Sequence, residues 1–100
     1  AGAYVKASLD STTAAAASAK VPADFRVSIT NAPGKDAWPI ASFTWLLIPQ
    51  PSKDQHKGQV IKGFLEWMST EGQKMVEPLS YAPLPSNVVQ MEQAAFKNLK

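Results

Sequence analysis

Residues 40–48, Ile-Ala-Ser-Phe-Thr-Trp-Leu-Leu-Ile, are apolar at all but two positions, with Pro39 before them and Pro49 and Pro51 after. A run of that length, rich in β-branched and aromatic residues, predicts a strand buried on both faces within a sheet that is itself covered by helices. Pro39 fits the start of such a strand, where a missing N–H is tolerated. A strand of this kind needs neighbours on both edges, and two strands do not make a stable sheet. The expectation is that the chain is part of a larger protein.

The rest of the chain supplies few candidates for those neighbours. Phe25, Val27 and Ile29 alternate with Arg26, Ser28 and Thr30, the period of a half-buried strand. Residues 31–36, Asn-Ala-Pro-Gly-Lys-Asp, carry turn chemistry, because proline presets its own φ and glycine tolerates positive φ. Upstream, the alanine-rich residues 3–20 predict a helix, either continuous or broken into two pieces, with residues 10–13 offering an N-cap for the second and Val21-Pro22 ending it.

Downstream, Ser52 and Asp54 offer caps for a helix whose apolar face is Val60, Ile61, Phe64, Leu65 and Met68. Gly58 and Gly63 weaken that helix by about 1 kcal/mol each relative to alanine, which suggests close packing there or a frayed first turn. Gly72 and Pro78 mark its end, residues 79–85 are extended and proline-punctuated, and Ser86 caps a last helix with Val88, Met91, Ala95 and Leu99 inward. The predicted order is helix, strand, turn, strand, helix, loop, helix.

Composition removes several function classes. Hydrophobic residues make up 45% of the 100, yet a third of them are alanine, so a core is feasible but thin. No cysteine is present, which excludes disulfides, thiolate metal sites and thiol nucleophiles. His56 is the single histidine, too few for a multi-histidine metal centre. Ten lysines and arginines against eight acids give a net charge of only +2, with no basic concentration of the kind nucleic acids demand. No stretch approaches the roughly 18 apolar residues of a membrane span. The chain opens Ala1-Gly2-Ala3-Tyr4 with no visible targeting signal, as a processed or excised piece would.

The polar candidates each have an ordinary structural explanation. Arg26, the one arginine, suits an oxyanion clamp, but the polar side of an alternating strand favours a solvated or ion-paired role. Ser42 and Thr44 share a strand face as two hydroxyls for an anion, or simply as satisfied hydroxyls in a sheet. Ser52, Lys53 and Asp54 precede a helix and read as caps before they read as an anion site. His56 with Asp54 lacks a nucleophile, and neither Glu66 with Glu71 nor Asp36 with Asp54 is spaced around a reacting bond. Trp38, Trp45 and Trp67 suit core packing better than a stacking platform. Trp38-Pro39 stands out as a rigid hinge exit, since proline restrains itself and its predecessor.

One resemblance goes beyond these readings. Residues 25–48, FRVSITNAPGKDAWPIASFTWLLI, resemble the C-terminal signature of the periplasmic phosphate-binding receptors of phosphate ABC transporters. Phe64-Leu65-Glu66-Trp67-Met68, Gly72-Gln73-Lys74 and Tyr81-Ala82-Pro83-Leu84-Pro85 continue it in the same order. The resemblance implies an α/β fold, the C-terminal segment of a two-lobed type II periplasmic binding fold, here helix-strand-strand-helix-helix. It implies residues 1–31 as the end of the second lobe, 32–39 as hinge and turn, and 40–100 as the closing strand and C-terminal helices of the first lobe. The chain would be the last third of its receptor.

It further implies a non-enzymatic phosphate-binding component of an inorganic phosphate importer, located in the bacterial periplasm. Its partners would be inorganic phosphate, an ABC transporter permease and the N-terminal remainder of the same receptor. The family's ligand motifs, a glycine- and serine/threonine-rich loop and an Arg followed by Ser-Gly-Thr, have no counterpart in this chain, so no phosphate, catalytic or metal residue is assigned and no cofactor is expected. A stand-alone interaction or assembly module is the alternative. A phosphatase-like enzyme is weakest, because no nucleophile, base and metal set can be assembled.

Overall fold

A computed structural model describes residues 2–99. Three α-helices carry the chain: α1 (Leu9–Ser18), α2 (Gln55–Met68) and α3 (Ser86–Phe96), with two short 3-10 turns at Glu71–Met75 and Glu77–Leu79. No strand forms among the described residues, and this overturns the helix-strand-strand-helix-helix α/β expectation. The physical reason lies in both segments. At residues 25–29 the alternation of exposure survives, with Ile29 buried and Arg26 and Ser28 exposed, but Phe25 sits at φ 61° and breaks the extended path. Residues 40–48 are followed by no second run with which to form a ladder, and a lone extended segment is not a sheet.

Helix α1 begins later than the alanine-rich composition suggests. Ser8 is its N-cap, and a reciprocal box closes it: the Ser11 N–H donates to Ser8 Oγ and the Ser8 N–H donates to Ser11 Oγ, both at 3.0 Å. The buried Ser11 hydroxyl donates to the Lys6 carbonyl at 2.7 Å, holding the non-helical entry against the first turn. Residues 10–13 therefore lie inside the helix rather than capping it. The helix ends at Ser18, and Ala19 is already extended ahead of Val21-Pro22.

The principal core is built from small residues. Ala15, Ala16, Ile29, Ala37 and Ala41 form it, with Trp38 and Phe43 packed at its margin. Hydrogen bonds fasten the 31–39 turn onto α1 and onto itself: Trp38 N–H donates to Ser11 C=O at 2.9 Å and Asn31 N–H to Pro39 C=O at 2.8 Å. Gly34 permits that approach, since a Cβ there would stand 2.7 Å from Ser18 Oγ and 2.8 Å from Ser18 Cβ. No large side chain in the described structure is fully enclosed.

Helix α2 forms past Ser52 and Asp54 as its periodicity predicts. Asp54 Oδ1 accepts from the backbone N–H groups of His56 and Lys57 at 3.0 and 3.2 Å. Only part of its apolar face is covered: Leu65 is buried, whereas Val60 and Phe64 are more than half exposed. Gly63 faces open space, so the close packing anticipated there is absent. Gly72, by contrast, lies flat against the Trp67 ring, where a Cβ would approach to 3.2 Å. Helix α3 packs against both α1 and α2, with Val88 buried, and its cap position is Pro85 rather than Ser86.

The resulting molecule is extended, about 49 × 28 × 17 Å, with a radius of gyration of 14.9 Å. A compact 100-residue domain has a radius of gyration of about 13 Å. The excess reflects how little apolar surface closes on itself.

Candidate functional site

The structure disperses the polar candidates. The Arg26 side chain is 89% exposed, and its Nε stands 3.8 Å from Asp24 Oδ2 in a surface pair of little energetic weight. Ser42 Oγ donates to the neighbouring Phe43 carbonyl at 3.2 Å, and Thr44 is exposed beside it. Asp54 spends its carboxylate on the α2 N-terminus, occupying the donors an anion would need, and Ser52 Oγ donates to the Asp54 carbonyl at 2.7 Å. His56 is exposed within the first turn of that helix. Glu71 is paired with Lys74 at 2.8 Å rather than with Glu66.

The tryptophans have separate neighbours. Trp38 lies against the alanine core, Trp45 meets Phe43 edge to face at 5.5 Å, and Trp67 stacks with Phe64 at 6.0 Å. They form no common platform. Among the described residues, no group of three or more His, Asp or Glu side chains is arranged to hold a metal ion.

What the fold does assemble is an open cleft of about 1240 Å³. Residues 42–48 line it as an extended ribbon, and the walls opposite come from α1, the C-terminal turn of α2, the 80–84 loop and α3. Its surface is chiefly apolar, with Phe43, Leu46, Leu84, Val88 and Phe96 among the residues that line it. Two hydrogen bonds of long sequence separation hold the loop in place: Thr13 Oγ1 donates to Pro83 C=O at 2.9 Å, and Leu84 N–H donates to Gln73 Oε1 at 2.8 Å. The same Gln73 amide donates through Nε2 to Met68 C=O at 3.0 Å, tying the end of α2 to the loop.

Glu92 is the notable polar group of the cleft. It is half-buried on α3, and its carboxylate makes no hydrogen bond or ion pair to any described residue. Burial pushes its carboxyl above the ordinary value of 4.5, because desolvation disfavours the charged form. Reading the candidates by residue type missed it, although its position one helical turn after the inward Val88 marks an acid on an apolar face. Gln73, within the Gly72-Gln73-Lys74 block, and Thr13, within residues 10–13, carry no local signal of the contacts they make in the cleft.

The comparisons with known proteins first give a class, that of binding proteins. Each of the three relatives cited next is a phosphate-binding protein, PstS. The chain is 38% identical over 96 residues to that of Xylella fastidiosa, a match covering 94% of this chain and 26% of the relative. Against the Haemophilus influenzae protein it is 31% identical over 99 residues, 97% of this chain and 30% of the relative. Against that of Methanocaldococcus jannaschii it is 40% identical over 76 residues, 70% of this chain and 19% of the relative.

The chain is thus similar to phosphate-binding proteins along nearly its whole length, in agreement with the resemblance carried by the ordered blocks from Phe25 to Pro85. It spans only 26–30% of the length of the Xylella fastidiosa and Haemophilus influenzae relatives, somewhat less than a third. No family model and no solved structure matches it.

Proposed function

We propose that this chain is the C-terminal part of the phosphate-binding component of an ABC-type inorganic phosphate importer, a non-enzymatic receptor of the bacterial periplasm that delivers its ligand to a membrane permease. The observation that carries the reading is the match over 94% of the chain to 26% of a phosphate-binding protein. In this reading the phosphate ligands are supplied by the remainder of the receptor, and this chain contributes none. The dispersal of Arg26, Ser42, Thr44 and Asp54 supports that assignment, since dehydrating a phosphate takes several convergent donors. Residues 32–39 act as the crossing between the parts on either side, stiffened by Trp38-Pro39. No helix of the described structure is long and apolar enough to cross a membrane, which agrees with a receptor that meets its permease from outside the bilayer.

The competing reading, a stand-alone interaction module, fits the molecule less well. A self-sufficient module of this size closes its apolar surface, and here Leu47 is 91% exposed and Ile40 76%. The deciding experiment is calorimetric. The chain is grafted in place of the matching segment of the Xylella fastidiosa protein, and phosphate is titrated into the chimera and into the 100-residue chain. One phosphate bound by the chimera and none by the chain alone is the expected result. Tight binding by the isolated chain, or a cooperatively folded chimera that ignores phosphate, overturns the proposal.

A further inference from the structure

The cleft between the ribbon and the helices has two properties that together describe what covers it. The first is apolar surface: Trp45, Leu46 and Leu47 are 49, 55 and 91% exposed along one wall. Among the described residues, residues 44–48 exchange no backbone hydrogen bonds, so an occupant that excludes water has to supply partners for those groups. The second is charge. Asp24, Glu77 and Glu92 line the cleft against one cation, Arg26, which already faces Asp24. Covering Glu92 in its charged form would strand a carboxylate away from water, which is costly unless a cation or strong donor meets it.

A source for the occupant follows from length, since roughly three quarters of the matched Xylella fastidiosa relative lies outside the part this chain covers. Resting on the function proposed above, we infer that the cleft seats a segment from the remainder of the receptor polypeptide, apolar where it meets the ribbon and carrying a lysine or arginine opposite Glu92. The chain then meets its own receptor through this groove, with the carboxylate selecting the register of the incoming segment.

Because the chain has no cysteine, a single introduced thiol reports directly on coverage. Leu47→Cys, on the ribbon, is compared with Val60→Cys, an exposed position on α2 outside the cleft. Both label at the rate of a free thiol in the 100-residue chain. In the chimera with the Xylella fastidiosa protein, the Leu47→Cys thiol labels at least tenfold more slowly, while the Val60→Cys thiol serves as the reference. Adding Glu92→Lys returns the Leu47→Cys thiol to fast labelling by opposing the incoming cation, and Glu92→Gln gives an intermediate rate.

Unchanged labelling of the Leu47→Cys thiol in a cooperatively melting chimera overturns the inference, even where that chimera binds phosphate. Slowed labelling in a chimera that ignores phosphate upholds the groove while removing the transport reading. Slow labelling of the chain alone, with sedimentation showing a dimer, assigns the groove to a second copy and also overturns it. Glu92→Lys without effect on a slowed rate overturns the basic occupant. Should the chimera not melt cooperatively, the same labelling is followed as the remainder of the relative is added to the chain as a separate polypeptide, and no slowing at saturating excess counts against the groove.

Discussion

The Thr13 hydroxyl donates to the carbonyl of Pro83 across 70 positions of sequence, at 2.9 Å. It joins the middle of α1 to the loop that leads into α3, and so fixes one wall of the cleft. Thr13→Val keeps the shape and removes the donor. The expected cost is about 1 kcal/mol of folding stability, read as a lower urea midpoint at unchanged slope. A midpoint equal to that of the unaltered chain would show that water replaces this bond without loss.

Gln73 holds the next residue of the same loop, accepting from the Leu84 N–H through Oε1 while its Nε2 donates to the Met68 carbonyl at the end of α2. Gln73→Leu leaves the Leu84 N–H and the Met68 carbonyl without their partners, at a cost of about 1–3 kcal/mol for groups shielded from water. Amide exchange at Leu84 should speed up more than that at Val88, which lies inside α3. Equal acceleration at both positions would mean global destabilisation instead of a freed loop.

Gly34 is set by packing against the end of α1, since a Cβ would meet Ser18 at 2.7–2.8 Å. Gly34→Ala should therefore destabilise the chain by about 1–3 kcal/mol, as measured by thermal or urea melting. Combining it with Ser18→Gly removes the obstructing side chain, and the two changes should then cost less than their sum.

Glu92 makes stability depend on pH in a direction opposite to that of a salt-bridged acid. Its folded-state pKa is raised above 4.5 by burial, so the folded form prefers the neutral carboxyl. The favourable contribution is complete below the unfolded value and is lost as pH climbs through the raised one. Glu92→Gln should flatten that part of the stability profile and leave the variant more stable than the parent at neutral pH. A profile that keeps its slope after the substitution assigns the titration to another group.

The helices were largely legible because their causes are local. Asp54 ahead of the Ile61, Leu65 and Met68 periodicity suffices to start and orient α2, and Val88 marks the inward side of α3. The start of α1 was misplaced because alanine favours helix at every position, whereas the boundary is fixed by the Ser8–Ser11 exchange and by the Lys6 carbonyl. The cleft contacts of Gln73 and Thr13 were not legible because their partners lie far along the chain or on another element, and a single side chain carries no signal of that.

By itself, the sequence determined that three helical segments form, the lack of thiol and multi-histidine chemistry, and the similarity to phosphate-binding proteins. Periodicity, capping and residue identity are properties of neighbouring positions. Only the tertiary structure decided that residues 40–48 form no strand ladder, that the Glu92 carboxylate stands half-buried with no partner among the described residues, and that a cleft opens between them. Strand pairing and charge pairing depend on what lies across space, and for the ribbon the described chain offers nothing on the other side.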